Sequence, residues 1–421
     1  MQDGEWLRWL VAGAVMLGIF LSAGNVNGED LRSLKLPEVQ RKPWKFDQFP
    51  ILAWWGPPGT RSREDFQRYK DAGFTLYVAN PDIGYDGAMQ HARAVGLPCM
   101  VFRLWQGFAL PRMDVDFNAN QDIIVGWMVR DEPNEYEACR AAIEQMNALM
   151  CEDASRWALF NVLPPHMQLP STEELIDSAV ANGLPIISFD WYYTYKDGTD
   201  DVVLQTRNLE RVRALSLKHG LPFWAFALTV SYDKHRRPSE SDLRWQHYTN
   251  LAYGAKGLWY FTYWGPTDWE NWDTQAIVNS ADGATTPLYE HVKALNHAVL
   301  AMGPTLLKLT STGVYHTNPP EGQKRFPAGQ EWIADVHGKD VLLGFFKHED
   351  GHDYAMVVNK LHGMNQSSAD MSDELELTFA DGVEQVTAVN WLDGQTGALK
   401  PDGRVARLKV AGGTGVLLRK D

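Results

Sequence analysis

The sequence has few cysteines and few basic residues for its length. Only three of its 421 residues are cysteine, at Cys99, Cys139 and Cys151, and their spacing matches neither a zinc site nor a disulfide framework. Acidic residues outnumber basic ones by 53 to 39, which gives a net charge of −14. This balance argues against a nucleic-acid partner, because phosphate binding requires clustered Lys and Arg.

Motifs for metal ions and nucleotides are also missing. The twelve histidines are scattered, with no HExxH sequence and no paired Cys/His cluster. No Gly-rich phosphate loop follows the first predicted strand. We therefore expect neither a metal ion nor a cofactor.

The chain has no apolar run near its N-terminus that is long enough for a standard membrane span. Leu10–Leu21 is apolar over 12 residues, which is the length of the hydrophobic part of a secretory signal. Small residues follow at Ser22–Gly24, so we expect residues 1–24 to direct the protein to the periplasm or out of the cell. Because Asp3 and Glu5 precede the run where a signal prefers positive charge, an uncleaved membrane anchor is the alternative.

After a linker over residues 25–46, short apolar strands alternate with amphipathic helices as far as residue 303. This alternation predicts parallel strands with helical crossovers, and eight strands are the number in a (β/α)8 barrel. A doubly wound sheet is the alternative. The predicted strands are Ile51–Trp55, Phe74–Asn80, Leu97–Trp105, a fourth that ends at Asp131 and Glu132, Trp157–Leu163, Pro185–Tyr192, Pro222–Val230 and Lys256–Tyr263.

Residues 304–421 have a different pattern. Short alternating strands recur at hairpin spacing, separated by turns rich in Gly and Asp such as Ala380–Gly382. This is typical of an all-β sandwich. We expect the sandwich to pack on the barrel, with sugar binding as an alternative role.

Three carboxylates stand at predicted strand ends, where the catalytic groups of a barrel are found. Asp131 and Glu132 follow a long apolar run, and Asp190 ends the sixth strand in the same way. Carboxylates are rarely buried without partners, and glycoside hydrolysis requires two of them beside the scissile bond. Glu132 and Asp190 are therefore the catalytic candidates. The alternatives are structural: a capping or ion-paired role for Asp131 and Glu132, and a hydrogen bond to a neighbouring strand end for Asp190.

Aromatic, amide and guanidinium side chains occupy the other strand ends. Indole and phenol rings stack on sugar rings, and the sequence contains 17 tryptophans. The charge of Asp131 is expected to raise the pKa of Glu132, which suits a general acid. The predicted substrate-binding residues are Trp55, Asn80, Arg103, Asp131, Asn161, Trp191, Tyr193, Tyr263 and Trp264.

One loop after the eighth predicted strand alternates acids with tryptophans. Asp268, Glu270 and Asp273 are interleaved with Trp269 and Trp272. The pattern is equally typical of an aromatic wall of a substrate cleft and of a solvated loop, and both interpretations stay open.

The segment GWMVRDEPN resembles (β/α)8 glycoside hydrolases that carry a D-E-P motif at the end of strand four. NVLPP, FDWYY and the segment Arg244–Trp264 extend the resemblance over most of the chain after Pro50. In the clan with two catalytic glutamates, the strand-four Glu is the acid/base, and that position maps onto Glu132. The clan's strand-seven Glu has no counterpart in PFWAFALTV. Other barrel glycosidases use acids on strands four and six, which would suit Glu132 and Asp190.

The function expected from these features is that of a glycoside hydrolase acting on a carbohydrate substrate. Two alternatives remain. The missing strand-seven acid favours a non-catalytic carbohydrate-binding protein on a glycosidase-like barrel. A polysaccharide lyase would need a basic group near a uronate-binding Arg, for which Tyr193 and Arg103 are the candidates.

Overall fold

The structure is a computed structural model that describes residues 30–39, 46–80, 87–102, 118–266, 270–389, 394–399 and 401–421. The predicted signal or anchor over residues 1–24 lies outside the described residues, as do Arg103, Asp268 and Trp269. Residues 31–421 form one compact unit. No helix in the described part of the chain is both long and apolar enough to span a membrane.

Among the described residues, eight parallel strands and seven α-helices make up the first part of the fold. The strands are β1 Ile51–Ala53, β2 Tyr77–Ala79, β3 Cys99–Phe102, β4 Ile124–Asp131, β5 Trp157–Val162, β6 Ile187–Phe189, β7 Phe223–Leu228 and β8 Gly257–Phe261. The helices of the described residues are α1 Arg63–Asp71, α2 Ala88–Val95, α3 Tyr136–Glu152, α4 Thr172–Ala181, α5 Val202–His219, α6 Glu240–Ala252 and α7 Leu288–Leu306.

The parallel sheet closes into a barrel. Its strands lie in chain order from β2 to β8, and β8 pairs with β1 in parallel. The backbone amides of Thr75 and Leu76, just before β2, donate to the carbonyl of Ile51 and join β2 to β1. The predicted (β/α)8 barrel is therefore confirmed, and the doubly wound alternative is wrong. Each predicted strand overlaps an observed one, so the strand count that places Glu132 after strand four also holds.

Two antiparallel sheets follow the barrel, as predicted for the C-terminal region. Their strands are β9 Leu309–His316, β10 Ile333–His337, β11 Val341–His348, β12 Asp353–Asn359, β13 Asp373–Phe379, β14 Val386–Val389, β15 Thr396–Ala398, β16 Val405–Val410 and β17 Gly415–Lys420. One sheet has the order β10-β13-β16 and the other the order β15-β14-β17-β12-β11-β9, and buried apolar side chains of both sheets form a shared core.

The second sheet packs against the barrel helix α6. A Cβ atom on Gly344 would fall 2.0 Å from the carbonyl oxygen of Ala252, so glycine is required for this close approach. The chain passes from the barrel to the sheets through α7, whose last turns contain Gly303 and Pro304. The expected packing of the sandwich on the barrel thus uses α6 as its contact surface.

Candidate functional site

The end of β4 places Glu132 beside β5 in an uncommon backbone conformation. Glu132 has a φ of 43°, in the left-handed region that favours glycine. Its backbone amide donates to the carbonyl of Asn161, at 2.9 Å. Pro133 follows and has no N–H with which to continue the strand. A non-glycine residue held in this region is strained, and such residues concentrate at functional sites.

Asp190 directly follows β6, and its side chain is only 8% exposed. The side-chain amide of Asn161 donates to Oδ1 of Asp190 at 2.8 Å and to Oδ1 of Asp131 at 3.2 Å. The hydroxyl of Ser188 donates to Oδ1 of Asn161 at 2.9 Å, which fixes the direction of the amide. The side-chain amide of Asn161 on β5 therefore bonds both the acid at the end of β4 and the acid after β6.

Glu132 and Asp190 are hydrogen-bonded to each other, and their environments separate their acidities. Burial raises the pKa of Glu132 far above its ordinary value, and the charges of Asp190 and Asp131 raise it further. Burial also raises the pKa of Asp190, but less, because Asn161, Glu132 and Tyr192 donate hydrogen bonds to its carboxylate. Glu132 is thus the protonated partner and Asp190 the ionised one near neutral pH. Such a separated pair can supply an acid and a base or nucleophile.

Aromatic rings extend from Asp190 toward β1 and form what we call the aromatic wall: Tyr192, Phe261, Tyr232, Trp272 and Trp55. Tyr192 stacks on Phe261, with ring centroids 5.2 Å apart. Tyr232 stacks on Trp272 at 4.4 Å, and Trp55 lies 5.8 Å from Phe261 and 5.9 Å from Trp272. Phe261, Tyr232 and Trp272 are partly exposed, so a ligand can reach the wall.

Five of the predicted site residues belong to the two carboxyls or their surroundings: Glu132, Asp190, Asp131, Asn161 and, within the wall, Trp55. Trp191 precedes Tyr192, keeps part of its surface exposed and packs edge-on against His166 at 4.6 Å. Asn80 is buried at the end of β2. Arg103 lies outside the described residues.

Three predicted substrate-binding residues point elsewhere. Tyr193 is 1% exposed and packs against Trp245 of α6, at 4.9 Å. Tyr263 is buried between Tyr69 and Phe74, and the ring of Trp264 lies under the guanidinium of Arg61 at 4.9 Å. The structure does not bring these three side chains to the carboxyl pair.

The wall contains residues that we did not select from the sequence. Tyr192, Tyr232 and Phe261 were missed, although Tyr192 follows Asp190 by two residues. Trp272 belongs to the loop that alternates acids and tryptophans, and its stacking on Tyr232 favours the aromatic-wall interpretation of that loop over a solvated one.

Among the described residues, one group has ligand atoms close enough to hold a metal ion: Asp200, Asp242 and His362. The guanidinium of Arg236 already lies between the two acids, 2.6 Å from Asp200 and 2.9 Å from Asp242. A cation that is part of the chain therefore compensates these carboxylates, and the group fits an ion-pair network better than a metal site.

Comparison of the fold with solved structures returns glycosidases. The chain is similar to a glucosidase from Croceicoccus marinus, with a TM-score of 0.45 and 13% identity over 91% of this chain and 96% of the glucosidase. It is similar to the alpha-galactosidase of Saccharomyces cerevisiae, with a TM-score of 0.48 and 9% identity over 89% and 97% of the two chains. It is also similar to a maltogenic alpha-amylase from Thermotoga neapolitana, with a TM-score of 0.43 and 13% identity over 88% of this chain and 98% of the amylase. No protein-family model and no curated protein matches the sequence.

Proposed function

We propose that the protein is a glycosidase (an O-glycosyl hydrolase) that cleaves the glycosidic bonds of an oligo- or polysaccharide. The observation that carries the proposal is the hydrogen-bonded pair of Glu132 and Asp190 at the carboxyl ends of barrel strands, beside the aromatic wall. Two carboxyl groups of separated acidity are the chemical requirement of glycoside hydrolysis, and stacked aromatic rings suit the apolar faces of sugars.

The electrostatics favour Glu132 as the general acid and Asp190 as the nucleophile. Glu132, whose pKa is raised by burial and by two neighbouring acids, would donate a proton to the oxygen of the leaving group. Asp190, held as an anion by the amide of Asn161, would attack the anomeric carbon. Direct interaction of the two carboxyls is nearer to the roughly 5–5.5 Å separation of retaining enzymes than to the roughly 6.5–9.5 Å of inverting ones, so we favour the retaining mechanism. Water would then hydrolyse the glycosyl ester on Asp190, with Glu132 acting as base.

This assignment agrees with glycosidases that carry a D-E-P motif in the acid/base after strand four, but it places the second carboxyl after a different strand. The position of Glu132 after β4 supports its role as the acid/base. The residue after β7 is Thr229, so the strand-seven glutamate of the two-glutamate clan has no equivalent at that position. Asp190, after β6, would supply the second carboxyl. The lyase alternative loses support, because its candidate base Tyr193 is buried against α6.

Release of reducing sugar from a panel of polysaccharides and aryl glycosides tests the proposal. We expect wild-type activity to fall at least about 10³-fold in Glu132→Gln and in Asp190→Asn, because each change removes an essential carboxyl. Glu135→Gln is the matched control, since Glu135 is an exposed acid three residues away. Full activity in Glu132→Gln would refute the site, and sugar binding without hydrolysis by the wild type would favour a carbohydrate-binding protein.

We also propose that residues 1–24 take the protein to the periplasm or out of the cell, where polysaccharides are met. The support is the 12-residue apolar run followed by small residues. N-terminal sequencing of the protein from a secreting host distinguishes cleavage near residue 24 from an uncleaved anchor. An intact N-terminus on protein found in the soluble cytoplasmic fraction would refute both.

A further inference from the structure

The three loops that carry the wall residues Tyr192, Tyr232 and Trp272 are joined to one another. Between the first two loops, the amide of Lys196 donates to the carbonyl of Lys234 at 2.9 Å, and the amide of Arg236 donates to Thr194 at 3.2 Å. Between the second and third, the amide of Asp273 donates to Ser231 at 2.9 Å. Three of the five wall residues are therefore carried by a small network of loops rather than by barrel strands.

Arg236 lies beneath this network and is only 5% exposed. Its guanidinium bonds Asp200, in the loop after β6, and Asp242, in the first turn of α6. Asp242 is fully buried and also caps α6, where it accepts from the backbone amide of Ser239 at 3.0 Å. Two acids brought together in this way depend on the cation between them, so Arg236 ties the first loop to a barrel helix.

The C-terminal sheets reach the same point through His362. Its Nε2 lies 3.3 Å from Oδ2 of Asp200, and its ring stacks on Trp245 of α6 with centroids 4.2 Å apart. The next carbonyl, of Gly363, accepts from the hydroxyl of Ser239 at 2.8 Å. His362, a residue of the C-terminal region, thus contacts both the loop after β6 and helix α6.

We propose that Arg236 is a positioning residue that holds the aromatic wall beside Glu132 and Asp190, and that the C-terminal region contributes to the wall through His362. Arg236 acts on the wall through Asp200, Asp242 and the loop backbone. The use of the wall to bind sugar rests on the proposed function, whereas the holding of the loops does not. This gives the C-terminal sheets a part in the active site although they supply none of its carboxyls.

Hydrogen exchange followed by mass spectrometry tests the proposal without requiring a substrate. Arg236→Ala would leave two acids facing each other without a cation and endanger folding, so the variant is Arg236→Lys, which keeps the charge but loses the two-pronged geometry. We expect exchange to become at least about 10-fold faster in residues 191–200, 231–236 and 270–275, with β6 and β7 unchanged. The matched control is Arg407→Lys. Arg407 forms an exposed ion pair with Glu376 between two strands of the C-terminal sheets, and neither residue belongs to the three loops.

A second variant, His362→Gln, isolates the C-terminal contribution and should speed exchange in the same loops by about 3-fold. Unchanged loop exchange in Arg236→Lys, or equally faster exchange throughout the chain, would overturn the positioning role. Unchanged exchange in His362→Gln would overturn the part given to the C-terminal region.

In an active wild type, the KM should rise about 10-fold in Arg236→Lys with kcat within about 2-fold, and an unchanged KM would count against the proposal. If the wild type hydrolyses nothing, the proposed function fails while the exchange experiment still decides this inference.

Discussion

The side-chain amide of Asn161 lies 2.8 Å from Oδ1 of Asp190 and donates a hydrogen bond to it. The same amide reaches Asp131, whereas burial and the charges of Asp190 and Asp131 raise the pKa of Glu132. A residue on the strand between them therefore contributes to the inequality of the two carboxyls, in addition to burial and the neighbouring charges. This inequality has consequences for activity and for stability that can be measured separately.

The pH dependence of activity should respond to Tyr192, whose hydroxyl donates to Asp190. In the proposed mechanism Asp190 must be ionised to react, so activity should be lost as the pH falls through its pKa. Tyr192→Phe removes a donor to the anion, raises the pKa of Asp190 and should move the acidic limb of kcat/KM to higher pH by up to about one unit. The stacking of the ring on Phe261 is retained. Tyr193→Phe is the control, because that hydroxyl faces α6, and an unmoved limb in Tyr192→Phe would contradict the assignment.

Thermal stability should reveal the raised pKa of Glu132 without any substrate. The unfolded chain releases the proton of Glu132 above the ordinary glutamate pKa, whereas the folded chain keeps it. The contribution of Glu132 to the free energy of unfolding therefore falls as the pH rises from about 4.5 toward the raised pKa. Glu132→Gln does not titrate, so its stability relative to the wild type should improve as the pH rises from 4.5 to 8, by up to about 1.4 kcal/mol per pH unit, and the difference in Tm should widen accordingly. A margin that is constant from pH 4.5 to pH 8 would refute the raised pKa.

Strand-end reasoning found the carboxyl pair from the sequence because parallel strands bring their carboxyl ends to one edge. Glu132 and Asp190 directly follow strands and Asn161 lies near the end of one, so their positions depend on little beyond the strand count. Tyr192 and Tyr193 show where that reasoning stops. Beyond β6 the alternation of a strand no longer applies, and the path of the loop decides which ring meets Asp190 and which meets Trp245.

The wall residues from later loops were less predictable for the same reason. Tyr232 and Trp272 are separated by about forty residues and stack only because their two loops pair across the barrel mouth. Tyr263 and Trp264, at the end of the eighth predicted strand, were predicted to bind substrate, yet both side chains are buried away from the carboxyl pair, and Phe261 belongs to the wall instead. A shift of two or three residues at a strand end is enough to exchange a core ring for a site ring.

Sugar affinity should depend on Trp272, which is partly exposed and stacks on Tyr232. Trp272→Ala removes the ring and should raise KM about 10-fold, corresponding to about 1.4 kcal/mol, with a smaller change in kcat. Trp272→Phe keeps an aromatic face and should restore most of the affinity. Steady-state kinetics on the best substrate of the panel measures both. Equal loss in the Ala and Phe variants would indicate that the indole has a role other than stacking.

Acid stability should depend on His247, which is fully buried in α6 against Tyr260. Burial lowers its pKa to about 3, so the folded protein keeps the ring neutral while the unfolded chain protonates it below about pH 6.5. The free energy of unfolding therefore loses about 1.4 kcal/mol per pH unit through His247 as the pH falls from about 6.5 toward 3, and this loss is absent above pH 6.5. His247→Phe does not titrate, so its stability relative to the wild type should improve by about 2 kcal/mol between pH 7 and pH 5. Urea unfolding at the two pH values measures this difference, in which any pH-independent packing cost of the phenyl ring cancels. His337→Phe, at an exposed position, should show no such improvement, and an equal response of the two variants would contradict the role of burial.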